Sequence, residues 1–349
     1  MNLFHIHNMG IVRVVVITVL GMLFSFQLSS AQDSNNGITY QPDKGAANGK
    51  YIVLIAGDQE YRSEEALSLL ARILTKEHGF KTTVLFEVNP KTGYVDPNYT
   101  TNVPGLKHLK NADLMIIFTR FLHLPDSQMK YVAEYIQAGK PVIGLRTATH
   151  AFEFPKNSNS PYAKYSFDSK VDGWVGGFGR RVFGQTWISH FGINHEEGTR
   201  GLINAALKLE KLAILRGVHD IFVKTGTYTS RSASALGGGA KILVWGQPTD
   251  GMTPDSRIDV DKGIMPIAWI REYTSDEGNT GRAFATTMGA SVDFENQGFR
   301  KLMVNACYWA LDMESQIKAE NDAKIMGRFN PNNFGIGNFK KNRTPSDFK

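Results

Sequence analysis

Arg146, Thr147, Thr149 and His150 stand directly behind a short apolar run, Val142 to Leu145, with small Ala148 and Ala151 interleaved. A buried strand that breaks into small and polar residues without a polar linker has the pattern of a sharp strand-to-helix elbow, which lifts one side chain over a parallel sheet. Such elbows usually raise a serine or cysteine nucleophile. Here the raised position is Arg146, whose guanidinium holds carboxylates or carbonyl oxygens through paired N–H donors but attacks nothing. Arg120 is a second candidate holder of the same kind. Asp58 and Glu60 form a candidate acid/base pair, because neighbouring desolvated carboxylates split their pKa values. The competing reading has Asp58 capping a turn and Glu60 pairing with Arg62 or Arg146.

Three histidines, His150, His190 and His195, are candidates for proton transfer or for a divalent metal such as zinc. His190 and His195 lie five apart in a glycine-containing stretch, a spacing compatible with ligation once a third ligand joins them but matching no strong zinc signature. A histidine of this kind is also a common hydrogen-bonded fixture. The stretch 153–200 is rich in Gly, Tyr, Phe and Trp, including Tyr162, Tyr165, Trp174, Phe178 and Trp187. These rings either stack on sugar faces or build a small satellite core. A Gly-punctuated insertion straight after an elbow is a place where binding and catalytic groups collect.

The elements that must position these groups follow from periodicity. Tyr51–Ala56, Thr82–Phe86, Ala112–Phe118 and Val142–Leu145 read as buried strands. Helices begin at Ser63, read as an N-cap with Glu64 and Glu65 in the first turn, and at Pro125, ending before Gly139. Short connections between alternating strands and helices imply right-handed crossovers and a parallel sheet covered on both faces. Lys241–Gly246, Met265–Ile270 and Arg282–Thr287 read as further strands, the first two as antiparallel neighbours, followed by a helix over about 293–311. Ligands of such sheets bind beyond the carboxyl ends of the strands. Asp58, Glu60, Tyr61, Arg62, Arg120, Arg146, Thr147, His150 and Ser291 all follow strands, so they converge on one rim.

Composition limits the rest. In the 349-residue chain, Arg13 precedes an apolar run over Val14–Phe26 that ends in Ser29-Ser30-Ala31. That is the pattern of a cleaved signal peptide over 1–31, too short to span a bilayer, and it implies export to the periplasm or beyond with no membrane association afterwards. The formal charge is +6, but the excess lies in Arg13 and in the tail cations Arg328, Lys340, Lys341, Arg343 and Lys349. The body is nearly neutral, which argues against nucleic acid as a partner. The single cysteine, Cys307, excludes an internal disulfide and sits in a helical apolar pattern as a buried thiol. There is no P-loop, no G-x-S-x-G, and Gly176 to Gly179 follows no strand, so it is not a dinucleotide fingerprint.

Four stretches carry a family resemblance: Ile55–Ser63 (IAGDQEYRS), Lys140–Phe152 (KPVIGLRTATHAF), Gly179–Gly201, and Thr286–Ser291 (TTMGAS) with its helix to Trp309. Together they make the chain resemble the ThuA-like, trehalose-utilisation proteins over about 50–312, in an exported branch. The resemblance implies an α/β fold of the flavodoxin-like, class I glutamine amidotransferase-like type, a three-layer sandwich with a mostly parallel central sheet. It implies a lead over 32–49, a ThuA-like domain over 50–312 with 153–200 inserted above the site, and a tail over 313–349. The family name points to a small-molecule carbohydrate as partner. In the amidotransferases the elbow residue is a cysteine working with His and Glu; Arg146 at that position argues against glutaminase activity.

The expectation is a protein that binds or processes a sugar or keto-sugar. Asp58, Tyr61, Arg62, Arg120, Thr147, Trp187 and Ser291 would hold it, and Glu60, Arg146 and His150 would act on it. On that expectation, Arg146→Ala abolishes turnover with the fold intact. A non-catalytic sugar-binding or complex-forming module is the alternative, and a His-based metallohydrolase using His190 and His195 the weaker one.

Overall fold

The computed structural model describes residues 37–205 and 212–349, so the signal-peptide segment 1–31 lies outside the described residues. Among the described residues ten strands form one sheet: β1 (Ile38–Tyr40), β2 (Tyr51–Gly57), β3 (Lys81–Phe86), β4 (Leu114–Thr119), β5 (Val142–Leu145), β6 (Thr199–Ile203), β7 (Phe222–Val223), β8 (Lys241–Pro248), β9 (Met265–Thr274) and β10 (Thr280–Thr286). Their order is β1-β3-β2-β4-β5-β10-β9-β8-β6-β7. From β3 to β10 every pair is parallel; β1 on β3 and everything beyond β10 are antiparallel. The sheet is therefore mixed, and the expectation of a mostly parallel sheet holds only for its five central strands. The segment after β5 returns as β6 to β9 by hairpin-like pairing, which needs no crossover helices. β8 and β9 are antiparallel neighbours, as their sequence pattern implies.

Alternation along the parallel strands builds two cores. Ile52, Leu54 and Ala56 of β2 and Leu114, Ile116 and Phe118 of β4 face one layer; Val53, Ile55, Met115 and Ile117 face the other. Helices α1 (Ser63–Lys76) and α3 (Gln297–Ala310) cover the first face through Leu67, Leu70, Leu74, Phe299, Leu302 and Met303. Helix α2 (Asp126–Gln137) covers the second through Met129, Val132 and Ile136, together with Tyr165, Trp174, Phe178 and Phe183 of the insertion. Those insertion aromatics are thus core rather than sugar platform. Gly144 lets the insertion seat: a Cβ there would lie 2.4 Å from the Phe183 ring. Each fully buried ring of this kind contributes about 1.5–3 kcal/mol through area removed from water.

Local chemistry departs from the sequence reading at three places. Ser63 does not cap α1; Arg62 holds the cap position in a left-handed conformation (φ 60°) with no side-chain cap bond. Ser63 Oγ instead accepts from the Asp58 amide at 3.1 Å, because the preceding turn claims it. The lead contains an edge strand, β1. The elbow opens into a one-turn 3-10 segment, Arg146–His150, rather than a long helix. No helix among the described residues is long and apolar enough to cross a membrane.

Candidate functional site

Counted by themselves, the five parallel strands run 2-1-3-4-5, the doubly wound order in which the chain reverses direction between its first and third strands. Those two strands are β2 and β4, and the crevice beyond their carboxyl ends is where this topology binds ligands. The loop after β2 carries Asp58 to Arg62; the loop after β4 carries Arg120 and Phe121. Asp58 is fully buried, and its Oδ1 accepts from the amides of Glu60 (2.8 Å) and Tyr61. It is therefore the cap of the turn that presents Glu60. Burial raises its pKa against the pull of the Tyr61 amide and Arg120. Arg120 Nη1 donates to Glu60 Oε2 at 2.8 Å across the crevice, and both side chains remain partly exposed. Asn194 Nδ2, reaching over from the insertion, donates to Glu60 Oε1 (3.3 Å) and to the Tyr61 hydroxyl (2.7 Å).

Arg146 occupies a true elbow, with φ 45° in the left-handed region where a non-glycine residue is strained. Its side chain turns inward. Nη1 donates to Thr225 Oγ1 (3.1 Å) and to the Thr287 carbonyl (2.9 Å), and Nη2 to the Gly226 carbonyl (2.9 Å). The guanidinium lies 3.6 Å from the Tyr61 ring centre and 4.9 Å from that of Tyr228. The Thr225 hydroxyl in turn donates a hydrogen bond to Asp293 Oδ2 (2.8 Å), which also accepts from the amides of Gly289 and Ala290 (3.0 Å each). Gly289, at φ 141°, allows that turn. Burial alone would lower the Arg146 pKa, but Tyr61, Tyr228 and Asp293 more than offset it, and the net shift is upward. With no solvent exposure, Arg146 ties β5, β10 and the 225–228 loop together. The expectation from the sequence is an arginine that acts on substrate and whose loss leaves the fold intact; its side chain is instead buried away from the rim.

Around the Glu60–Arg120 pair stand aromatic walls. His150 is 5.3 Å from Phe121, 5.9 Å from Trp187 and 5.7 Å from Tyr228, centre to centre. Phe167 closes on Phe121 at 5.3 Å, and Phe121 itself is held at φ 55°. His190 packs against Trp187 and Tyr228 (6.0 and 5.5 Å) while staying exposed. Burial, then Arg120, Arg146 and His190, push the His150 pKa well below the ordinary histidine value. Burial and Arg146 lower that of His190 as well, against a raising contribution from Glu60. Both imidazoles are therefore neutral at pH 7. A cleft of about 440 Å³ opens on the far side of Phe121, lined by Gln59, His123, Glu153, Lys156 and Asp168 among others.

The structure thus brings Glu60, Arg120, Trp187, His150 and His190 to one rim. Tyr61 lies beneath it, its ring sandwiched and its hydroxyl held by Asn194. Thr147 is buried beside Asp58, whose ionised form its hydroxyl favours. Arg62 is buried with Nη2 on the Gln59 carbonyl (2.6 Å), and Ser291 donates to the Asn332 carbonyl (3.2 Å). Neither meets the rim. His195 stacks on Phe334 of the tail, 4.4 Å and 14° from parallel, away from His150 and His190. Among the described residues no three His, Cys, Asp or Glu side chains are grouped to hold a metal ion, so the zinc expectation for His190 and His195 has no ligand set here. Asn194, Phe121, Phe167 and Tyr228 are the rim groups that sequence reasoning passed over. Asn194, inside the His190–His195 stretch, and Phe167, inside the aromatic-rich insertion, offered a signal.

A mixed α/β sandwich whose elbow carries arginine in place of a nucleophile, with its polar groups at the switch point, defines the class. Within it, the chain belongs to the ThuA family, described as trehalose utilisation, whose family model matches residues 53–310. That membership supports a role related to trehalose utilisation. Among solved structures, a putative ThuA-like protein from Parabacteroides merdae ATCC 43184 is similar at 14% identity and TM-score 0.45, over 83% of this chain and 96% of that one. The N-terminal domain of mmIFT52 is similar at 12% identity and TM-score 0.37, over 75% and 97%. The exo-beta-1,4-mannosidase Op5Man5 from Opitutaceae bacterium strain TAV5 follows at 9% and 0.33, over 78% of this chain and 36% of that one. No curated protein matches the chain.

Proposed function

We propose that this protein is an exported member of the family that binds and processes a sugar or keto-sugar at the switch-point rim. It would do so on a glutamine amidotransferase-like scaffold that has no glutaminase chemistry. The observation that carries the reading is the Glu60–Arg120 pair, 2.8 Å apart between the β2 and β4 loops and walled by Phe121, Trp187, His150 and His190. Sugars need this combination: aromatic faces for their C–H surfaces and a few fixed polar groups for their hydroxyls. Glu60 accepts hydroxyl hydrogen bonds, Arg120 supports a carbonyl or developing oxyanion, and exposed, neutral His190 takes the proton, with His150 behind it. Cys307, the sole cysteine, is buried in α3 and offers no substitute nucleophile at the elbow.

The test is a panel of disaccharides, their monosaccharides and their 3-keto forms, followed by product analysis and thermal shift. The expected result is turnover of at least one, reduced by about 10²–10⁴-fold in Glu60→Gln and His190→Ala. Both Glu60 oxygens are already engaged, by Arg120 and Asn194, which favours a non-catalytic binder as the second reading; thermal shift without product selects it. Neither shift nor product across the panel removes both.

A further inference from the structure

The tail beyond the family match carries neither helix nor strand from 317 to 344, yet it is fastened at the rim. Phe334 is buried between two rings. It stacks on Tyr61 at 5.9 Å and 27°, and on His195 at 4.4 Å and 14°. The Gly335 amide donates to the Glu60 carbonyl at 2.7 Å. The Asn332 amide donates to Glu65 Oε2 and Lys340 reaches Glu65 Oε1, each at 2.8 Å. Farther along, the Arg343 carbonyl accepts from the Val95 amide at 2.7 Å, and Phe348 stacks on Phe86 at 5.5 Å. The tail is a strap across the start of α1.

One ring of that strap touches both sides of the site. Tyr61 belongs to the β2 loop that presents Glu60; His195 belongs to the insertion tip and neighbours Asn194, which bonds Glu60 and the Tyr61 hydroxyl. The tip itself is a small turn, with the Glu196 and Glu197 amides on the Ile193 carbonyl and His195 held at φ 70°. Such a turn has little apolar burial of its own and opens easily unless something holds it.

We infer that Phe334 is a positioning residue: by filling the slot between Tyr61 and His195 it keeps the insertion tip on the rim and Asn194 on Glu60. The inference rests on reading that rim as the functional site, but its test does not require a ligand. In full-length Phe334→Ala, the Glu196 and Glu197 amides exchange with solvent at least about tenfold faster, while amides of β4 and β5 keep their protection. Phe334→Tyr, which retains the ring face, restores the tip. Unchanged tip exchange in a Phe334→Ala protein whose Gly335 amide has opened overturns the inference. Where Phe334→Ala does not fold, native-state exchange of the wild type under mild denaturant decides. Tip and strap amides opening as one unit support the strap, and separate opening overturns it. With the same sugar panel as probe, coupled exchange in a protein that binds none of its members sinks the sugar reading and leaves the strap. Sugar binding with uncoupled exchange does the reverse.

Discussion

Two arginines leave the carboxyl ends of neighbouring strands and meet opposite fates. Arg120, after β4, keeps a fifth of its side chain in solvent and spends one nitrogen on Glu60. Arg146, after β5, is fully buried, with two backbone carbonyls and a threonine on its terminal nitrogens and tyrosine rings against its plane. Same side chain, same rim, one strand apart: what separates them is which donors the protein consumes. A guanidinium whose two terminal nitrogens are both bonded inside the protein supports a site, and one that spends a single terminal nitrogen can serve it.

The sharpest way to break the contrast is to remove each in turn. Arg146→Ala strands Thr225 and the Gly226 and Thr287 carbonyls and leaves a cavity under Tyr61, so a loss of about 3–5 kcal/mol is expected in urea unfolding. An Arg146→Ala protein as stable as wild type would return the residue to the catalytic candidates.

A second contrast lies beneath the rim. Burial raises the Glu64 carboxyl to about 7, more than Arg62 lowers it, with Glu65 and Asp58 adding to the rise. The folded state then holds a proton that the unfolded state releases near its ordinary value. Stability falls as pH rises from about 4.5 through 7, by about 3 kcal/mol from this group. Glu64→Gln should unfold at higher urea than wild type at pH 8 and show little advantage at pH 4. Glu87 is also raised, by burial and then by Asp58 and Glu64, so Glu64→Gln relieves part of that rise too and the advantage at pH 8 grows in the same direction. Arg120→Ala, by contrast, should cost about 1–2 kcal/mol, less than Arg146→Ala because the pair keeps partial contact with water, while removing sugar-dependent thermal shift. The smallest effect expected is at Cys307: burial raises its thiol pKa, so a thiol reagent should leave the folded protein unlabelled and react only on unfolding.

Periodicity made the parallel half readable because each strand is a continuous apolar run ended by small or polar residues, and α1 to α3 each carry one apolar stripe. The antiparallel half was legible only in β8 to β10. β6 and β7, at Thr199–Ile203 and Phe222–Val223, are short and lie in a stretch whose glycines and polar residues give no two-residue alternation. At the site, charged residues following strands could be placed on one rim, since topology demands it. Which of them face solvent could not, because Arg62, Arg120 and Arg146 look alike as letters.

The sequence by itself determined the layer order, the rim and the arginine at the elbow, because local hydrophobic period and strand-ending chemistry are properties of short stretches. Only the tertiary structure decided that Arg146 turns inward, that Glu60 meets Arg120 and Asn194, and that Phe334 clamps Tyr61 against His195. Each of these depends on groups 60 to more than 270 positions apart in the chain, and no pattern confined to a few turns of backbone encodes a contact over that separation.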